Sequence, residues 1–167
     1  MDYIRYIERT HEYYRSQGYE KTYNYAHNED IPFTPLKKPL NECRVALVTT
    51  ASFILLDEGG RPLEEPRMIG TNELEVFTAP SDWPADRILS TSQDHDRYQT
   101  NMADVNAFFP ITRMREFLEE GVFGSLSTNY YRTVPNYSQR KTTEVDGPEV
   151  LRLCREDHVD AALLTPV

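Results

Sequence analysis

Tyr3, Tyr6, Ile7, Thr10, Tyr13 and Tyr14 recur at helical spacing and predict an amphipathic helix running from a cap at Asp2 to Gly18. Seven of the eleven tyrosines lie in the first 25 residues, so its apolar face is aromatic. We expect that face to dock on its own domain or on a partner subunit, an aromatic substrate box being the alternative. "HNEDIPFTPLKKPL" follows, and its prolines hold the backbone extended, as an ordered arm or a linker. In "RVALVTTAS" the unbroken apolar run Val45 to Val48 predicts a strand covered on both faces in a parallel sheet, with Thr49, Thr50 and Ser52 just past its C-terminal end. The next stretch, Phe53 to Pro84, is rich in glycine, proline and acid, with "FILL" and "LEVF" as candidate edge strands. Arg87 to Ser90 reads as a second short strand that delivers Ser92, Asp94, His95 and Asp96 beyond its end.

The strongest helix signal is "PITRMREFLEEG". Pro110 sits at a tolerated first-turn position, Ile111, Met114, Phe117 and Leu118 form one stripe, and Gly121 is placed as a C-cap. "GSLSTNYYRTVPNYSQRKTTE" reads as a loop. Asp146 is then expected to cap a helix from Gly147 to Asp157, with Val150, Leu151 and Cys154 inward and Arg152, Arg155 and Glu156 outward. Ala161 to Thr165 repeats the buried-strand pattern of Val45 to Val48. This alternation predicts an α/β, Rossmann-like layered fold with a mostly parallel sheet flanked by helices. Its organisation would be a tyrosine-rich helix and arm over 1–42 and an α/β domain over 43–167.

Composition narrows the functional classes. The 167 residues suit one principal domain, and a net charge of -9 gives no footprint for nucleic acid or anionic lipid. The sequence carries no transmembrane span or signal peptide, so the expected location is the cytoplasm. Cys43 and Cys154 form no metal-spaced set; Cys154 is expected in the core, and both are expected as free thiols.

In open α/β sheets ligands bind outside the carboxyl ends of the strands, so "TTAS", "STSQDHD" and "TPV" should converge on one rim. His95, between Asp94 and Asp96, could act as an oriented base, contact substrate, join a metal site or sit in a solvated turn. Neither Ser52 nor Ser92 lies in a glycine-flanked nucleophile elbow, and "DEGGRP" lacks the lysine and context of a phosphate loop.

Three stretches, "FTPLKKPLNECRVALVTTAS", "DVNAFFPITRMREFLEEGVFGSLS" and "LRLCREDHVDAALLTPV", carry a resemblance in order and spacing. Over roughly Pro32 to Val167 the chain resembles the B-type selenoprotein subunits of glycine, sarcosine and betaine reductases and of D-proline reductase. The resemblance implies that the strand matching "AALLTPV" is followed at once by a reactive selenocysteine or cysteine. It also implies a pyruvoyl group on a partner subunit and reductive cleavage of a carbon–heteroatom (C–N) bond in a small amino-acid-like substrate. A selenol is ionised at neutral pH, where a thiol with a pKa of about 8.5 is mostly protonated, so it is the better nucleophile.

On this reading the chain is the N-terminal part of a reductase subunit, ended or cut at the selenocysteine codon. It holds no redox centre of its own and is inactive alone, with Thr49, Thr50, Ser52, His95 and Asp96 lining the substrate site. Relatives carry a histidine- and aromatic-rich stretch where this chain has "STSQDHDRYQTN", which leaves the substrate open. The expected assembly is a homo- or hetero-oligomer with a reductase partner subunit. The rival reading is a non-catalytic subunit or binding module that completes its sheet with a partner chain. A metal hydrolase built on Asp94, His95 and Asp96 is the third.

Overall fold

The computed structural model describes residues 5–22, 25–31, 34–63, 76–92, 95, 98–133 and 138–166. The chain divides into two compact units, Met1–Phe33 and Thr34–Val167. In the first, the aromatic pattern produces helix α1, Tyr6–Ser16. Gly18 ends it with φ +86, a left-handed conformation that costs glycine little, while the Gly18 and Tyr19 N–H groups donate to the Arg15 and Tyr14 carbonyls. No residue of α1 is buried; Tyr14 packs edge-on against Tyr13 and Tyr19, both with ring centroids 5.7 Å apart. The expected cap, Asp2, lies outside the described residues.

The second unit is α/β. In chain order its strands are β1 Arg44–Thr49, β2 Phe53–Leu55, β3 Val76–Pro80, β4 Ile88–Ser90, β5 Ser125–Leu126, β6 Asn129–Thr133 and β7 Ala161–Thr165. Its helices are α2 Ile111–Glu119, α3 Gln139–Lys141 and α4 Gly147–Glu156. β1 lies at the centre. One side pairs parallel with β5 and then β6; the other pairs parallel with β7 in the register Val45↔Ala161 to Thr49↔Thr165. β3 runs antiparallel to β6, so the sheet is mixed. β4 occupies the predicted stretch but does not join β1: it pairs antiparallel with β2 in a separate two-stranded sheet. The cause is local, because β2 follows β1 after only three residues and offers β4 an edge at once.

The continuous apolar run of β1 is explained by packing on both faces. Val45 and Leu47 belong to a large cluster with Phe53, Phe108, Phe109, Ile111, Met114 and Tyr130. Ala46 and Val48 belong to a smaller one with Tyr131 and Cys154. Strand β6 arises where the sequence predicted loop: adjacent Tyr130 and Tyr131 project to opposite faces, each buried in a different cluster. Burial pushes the Tyr131 phenol up to about 12.

Two expectations about the last elements are corrected. Asp146 does not cap α4. Its backbone is helical and it makes no side-chain cap, because a π-helical turn, Thr142–Asp146, joins α3 to α4. Pro148 has no N–H, so the carbonyl four residues earlier, at Glu144, loses its helical donor, and a wider turn accommodates the gap. Asp146 is thereby carried inward and buried. Likewise β7 is not a fully buried strand: Leu163 and Leu164 are 43% and 68% exposed. Among the described residues no strand covers its outer edge.

Candidate functional site at the strand ends

Of the three stretches expected to converge, two meet directly: the ends of β1 and β7. Thr49, expected just past β1, is its last residue: its hydroxyl donates to the Thr165 carbonyl at 3.0 Å and accepts from the Ala51 N–H at 3.0 Å, while the Thr165 hydroxyl donates to the Val48 carbonyl. Three residues on, the Thr91 N–H donates to the Ser52 carbonyl at 2.9 Å, continuing the pairing of Phe53 with Ser90. The ends of β1 and β7 therefore form one polar rim, and the end of β4 is tied to the loop that follows β1; Thr49, Thr50 and Thr165 line the groove beside the rim, whereas Ser52 and His95 do not. Thr49 is buried and its hydroxyl ties the strand ends together, whereas Thr50 and Ser52 are half-buried. His95 is half-buried and its Nδ1 is enclosed with no hydrogen-bond partner among the described residues. Asp94 and Asp96 lie outside the described residues.

A groove of about 480 Å³ runs from this rim along β7 and α4. Thr49, Thr50, Thr142, Asp146 and Thr165 give its polar end; Val150, Leu151, Cys154 and Leu164 give its apolar length. The sequence did not reveal Thr142 or Asp146 as lining residues. The signal was the Gly147-Pro148 pair inside a helical pattern, which marks a wide turn, not a helix start.

The opposite end of β1 is fastened electrostatically. Asp157, 19% exposed, accepts from the Arg44 guanidinium at 2.7 Å, the Thr128 N–H at 2.5 Å and the Thr128 hydroxyl at 2.8 Å. Asp160 accepts from the Arg44 N–H and from Lys38, at 2.8 and 2.7 Å. Burial opposes the charge on Asp157, but the hydrogen bonds from Thr128 and Arg44 outweigh it and hold the carboxyl below the ordinary 3.8. The Arg44 N–H, then Lys38, lower Asp160 likewise.

A carboxyl depressed in the folded state adds stability that is fully present above its unfolded pKa and is lost as pH falls through the folded value. Melting temperature is thus expected to hold from neutral pH down to the ordinary carboxylate range and then to fall. Asp157→Asn should lower the plateau by about 1.5 kcal/mol, allowing for solvent screening, and flatten the acid limb; an unchanged limb would show that the node does not govern it.

Both cysteines are free and buried. The Cys43 thiol donates to the Pro39 carbonyl at 3.4 Å, and burial pushes the Cys154 thiol up. Thiol reagents at neutral pH should label neither residue in the folded protein and both after denaturation. Rapid labelling of native protein would contradict this packing.

Among the described residues no cluster of three His, Cys, Asp or Glu could hold a metal, and no helix is long and apolar enough to cross a membrane. Comparison with known proteins adds three findings. The profile of the family described as glycine/sarcosine/betaine reductase selenoprotein B matches residues 5–167. The D-proline reductase subunit gamma of Acetoanaerobium sticklandii is 31% identical over 134 residues, 80% of this chain and 52% of that protein. The glycine reductase complex component B subunit gamma of Symbiobacterium thermophilum is 24% identical over 156 residues, 90% of this chain and 34% of that protein. The chain thus spans about half the length of the first relative and a third of the second. No solved structure matches it.

Proposed function

The chain belongs to the glycine/sarcosine/betaine reductase selenoprotein B family, and from that premise we propose that it forms part of a reductase subunit that cleaves a C–N bond in a small amino-acid-like substrate. The observation that carries the reading is the family match over residues 5–167; the tie between the β1 and β7 ends at Thr49–Thr165 supports the placing of the site. We take the layering as Rossmann-like, with the substrate outside the carboxyl ends of β1 and β7, as such sheets place it.

In this reading Thr50 and Ser52 offer hydroxyls to the substrate carboxylate, His95 contacts its amino group, Asp96 belongs to the same substrate-binding set, and Thr49 holds the rim together. The redox centre of the reaction is a selenocysteine or cysteine, which supplies a nucleophile for the substrate carbon. Neither cysteine here fits that role: Cys43 sits before β1, Cys154 lies in the core on α4, and both are buried. A pyruvoyl-bearing partner subunit is the proposed co-reactant, and the chain alone releases no amine. Its setting is the cytoplasm.

The test is nuclear magnetic resonance titration of the ¹⁵N-labelled chain with glycine, sarcosine, betaine and D-proline. One of the four should shift amides confined to Thr50–Ser52, Thr91–Ser92 and Thr165. Ser52→Ala and His95→Ala should each weaken that binding about tenfold. Shifts elsewhere, or variants that bind like the parent, would overturn the site.

A further inference from the structure

We propose that the outer edge of β7 and the groove between β7 and α4 seat a helix-and-strand segment, the strand pairing parallel with β7 and the helix lying over Leu151 and Leu164. The inference stands on the edge itself and does not require the reductase chemistry. Pairing fixes the faces: Leu164 is in register with Val48 and shares its face, towards α4, whereas Leu163 is in register with Leu47 and shares the other. Both leucines are substantially exposed, and Leu151 on α4 is 49% exposed. Among the described residues, apolar surface is therefore uncovered on both faces of one strand, and no strand pairs with its outer edge.

That combination selects the occupant. A small molecule in the groove would reach Leu164 and Leu151, but it would leave Leu163 in water and the outer N–H and C=O groups of β7 without a ladder. A strand supplies the ladder and continues the sheet past both leucines, and a helix attached to it caps the groove. The sequence "AALLT" contains none of the lysines, prolines or bulges with which proteins blunt a permanently free edge.

A second copy of the chain fits less well. Two β7 edges related by a twofold axis would pair antiparallel, whereas every pairing of β1, β7 included, is parallel, and each chain carries a net charge of -9. The relatives carry the polypeptide that could serve, since this chain spans 52% of one and 34% of the other.

The experiment is hydrogen exchange of the purified chain, alone and with a probe. The probe is the portion of the Acetoanaerobium sticklandii D-proline reductase subunit gamma outside its match with this chain, made as a separate polypeptide. The expected result is at least tenfold slower exchange over residues 161–165 on adding the probe. Leu164→Lys and Leu151→Lys should each weaken binding tenfold or more. Val122→Lys, at a residue 40% exposed away from the groove, should leave it unchanged. Melting curves for all three variants establish that they fold.

Four outcomes overturn the proposal. They are protection of residues 161–165 that rises with the chain's own concentration, equal protection by D-proline alone, no protection at a probe concentration of about 100 μM, and binding indifferent to Leu164 and Leu151. The substrate titration reads the rim and this exchange reads the edge, so each can fail without the other.

Discussion

Phe53→Ala is expected to lower the unfolding free energy by about 4 kcal/mol, a large part of what a domain of this size has to lose. Phe53 is 1% exposed, and its ring centroid lies 5.0 Å from Phe109, 5.8 Å from Tyr130 and 6.0 Å from Phe108. The Arg132 guanidinium covers the same ring at 4.8 Å and also donates to the Phe53 carbonyl. Truncation leaves a cavity walled by three aromatic rings that cannot collapse into it, and it removes the surface on which Arg132 rests. Urea denaturation with an unchanged slope would measure the loss, and Phe53→Leu should cost under half as much. Because Phe53 directly follows Ser52, the same variant should also loosen the rim, visible as faster exchange of the Thr91 amide. A loss under about 1.5 kcal/mol would mean that this aromatic cluster is not the centre of the core.

Gly124→Ala is the second large effect, about 3 kcal/mol, and it comes from crowding. A Cβ at position 124 would lie 2.9 Å from the Glu42 carbonyl carbon, 3.0 Å from the Asn41 oxygen and 3.1 Å from the Glu42 Cα. All three are backbone atoms of the 3-10 turn Leu40–Glu42, so no side chain can swing aside. The Gly124 N–H also donates to the Cys43 carbonyl at 2.9 Å, immediately before β5 pairs with β1, and displacement would disturb the start of that ladder. Gly121→Ala provides the comparison. Its φ of +72 strains an alanine, but nothing lies within 4 Å of its Cβ, and about 1 kcal/mol is expected. Equal costs at the two glycines, read from thermal melts, would remove the crowding argument.

The signals that read correctly in the sequence are those fixed by one element's own pattern. Val45 to Val48 had to be covered on both sides because no polar residue interrupts it, and it lies at the centre of the sheet. The stripe of Ile111, Met114, Phe117 and Leu118 placed α2, although Phe117 stays half exposed, and the α4 pattern put Cys154 in the core, although Leu151, expected inward beside it, is exposed. What was not legible depended on partners far away in the chain. "NYYRT" looks polar, and only the presence of a packed cluster on each face makes Tyr130 and Tyr131 a strand. "AALLT" and "VALV" are alike in composition, yet one has neighbours on both sides and the other on one, which no local pattern distinguishes. Asp146 sat where a cap was expected, and the missing N–H of Pro148 determined otherwise. For the rim, the rule that ligands lie beyond strand ends brought Thr49 and Thr165 together but not Ser52, while the groove along α4 followed from the exposure of β7.

The central place of β1 has a consequence for how the protein is made. Its full-length partner lies 116 residues downstream, so no local contact can complete the ladder. At about 5–20 residues per second, a ribosome needs roughly 10 s between delivering β1 and delivering β7. Throughout that interval Val45 to Val48 is synthesised polypeptide with half of its pairing absent. The closing step must then overcome the entropy of a long loop, the circumstance in which sheets form slowly. The nascent chain should therefore depend on being shielded during synthesis more than its finished stability would suggest.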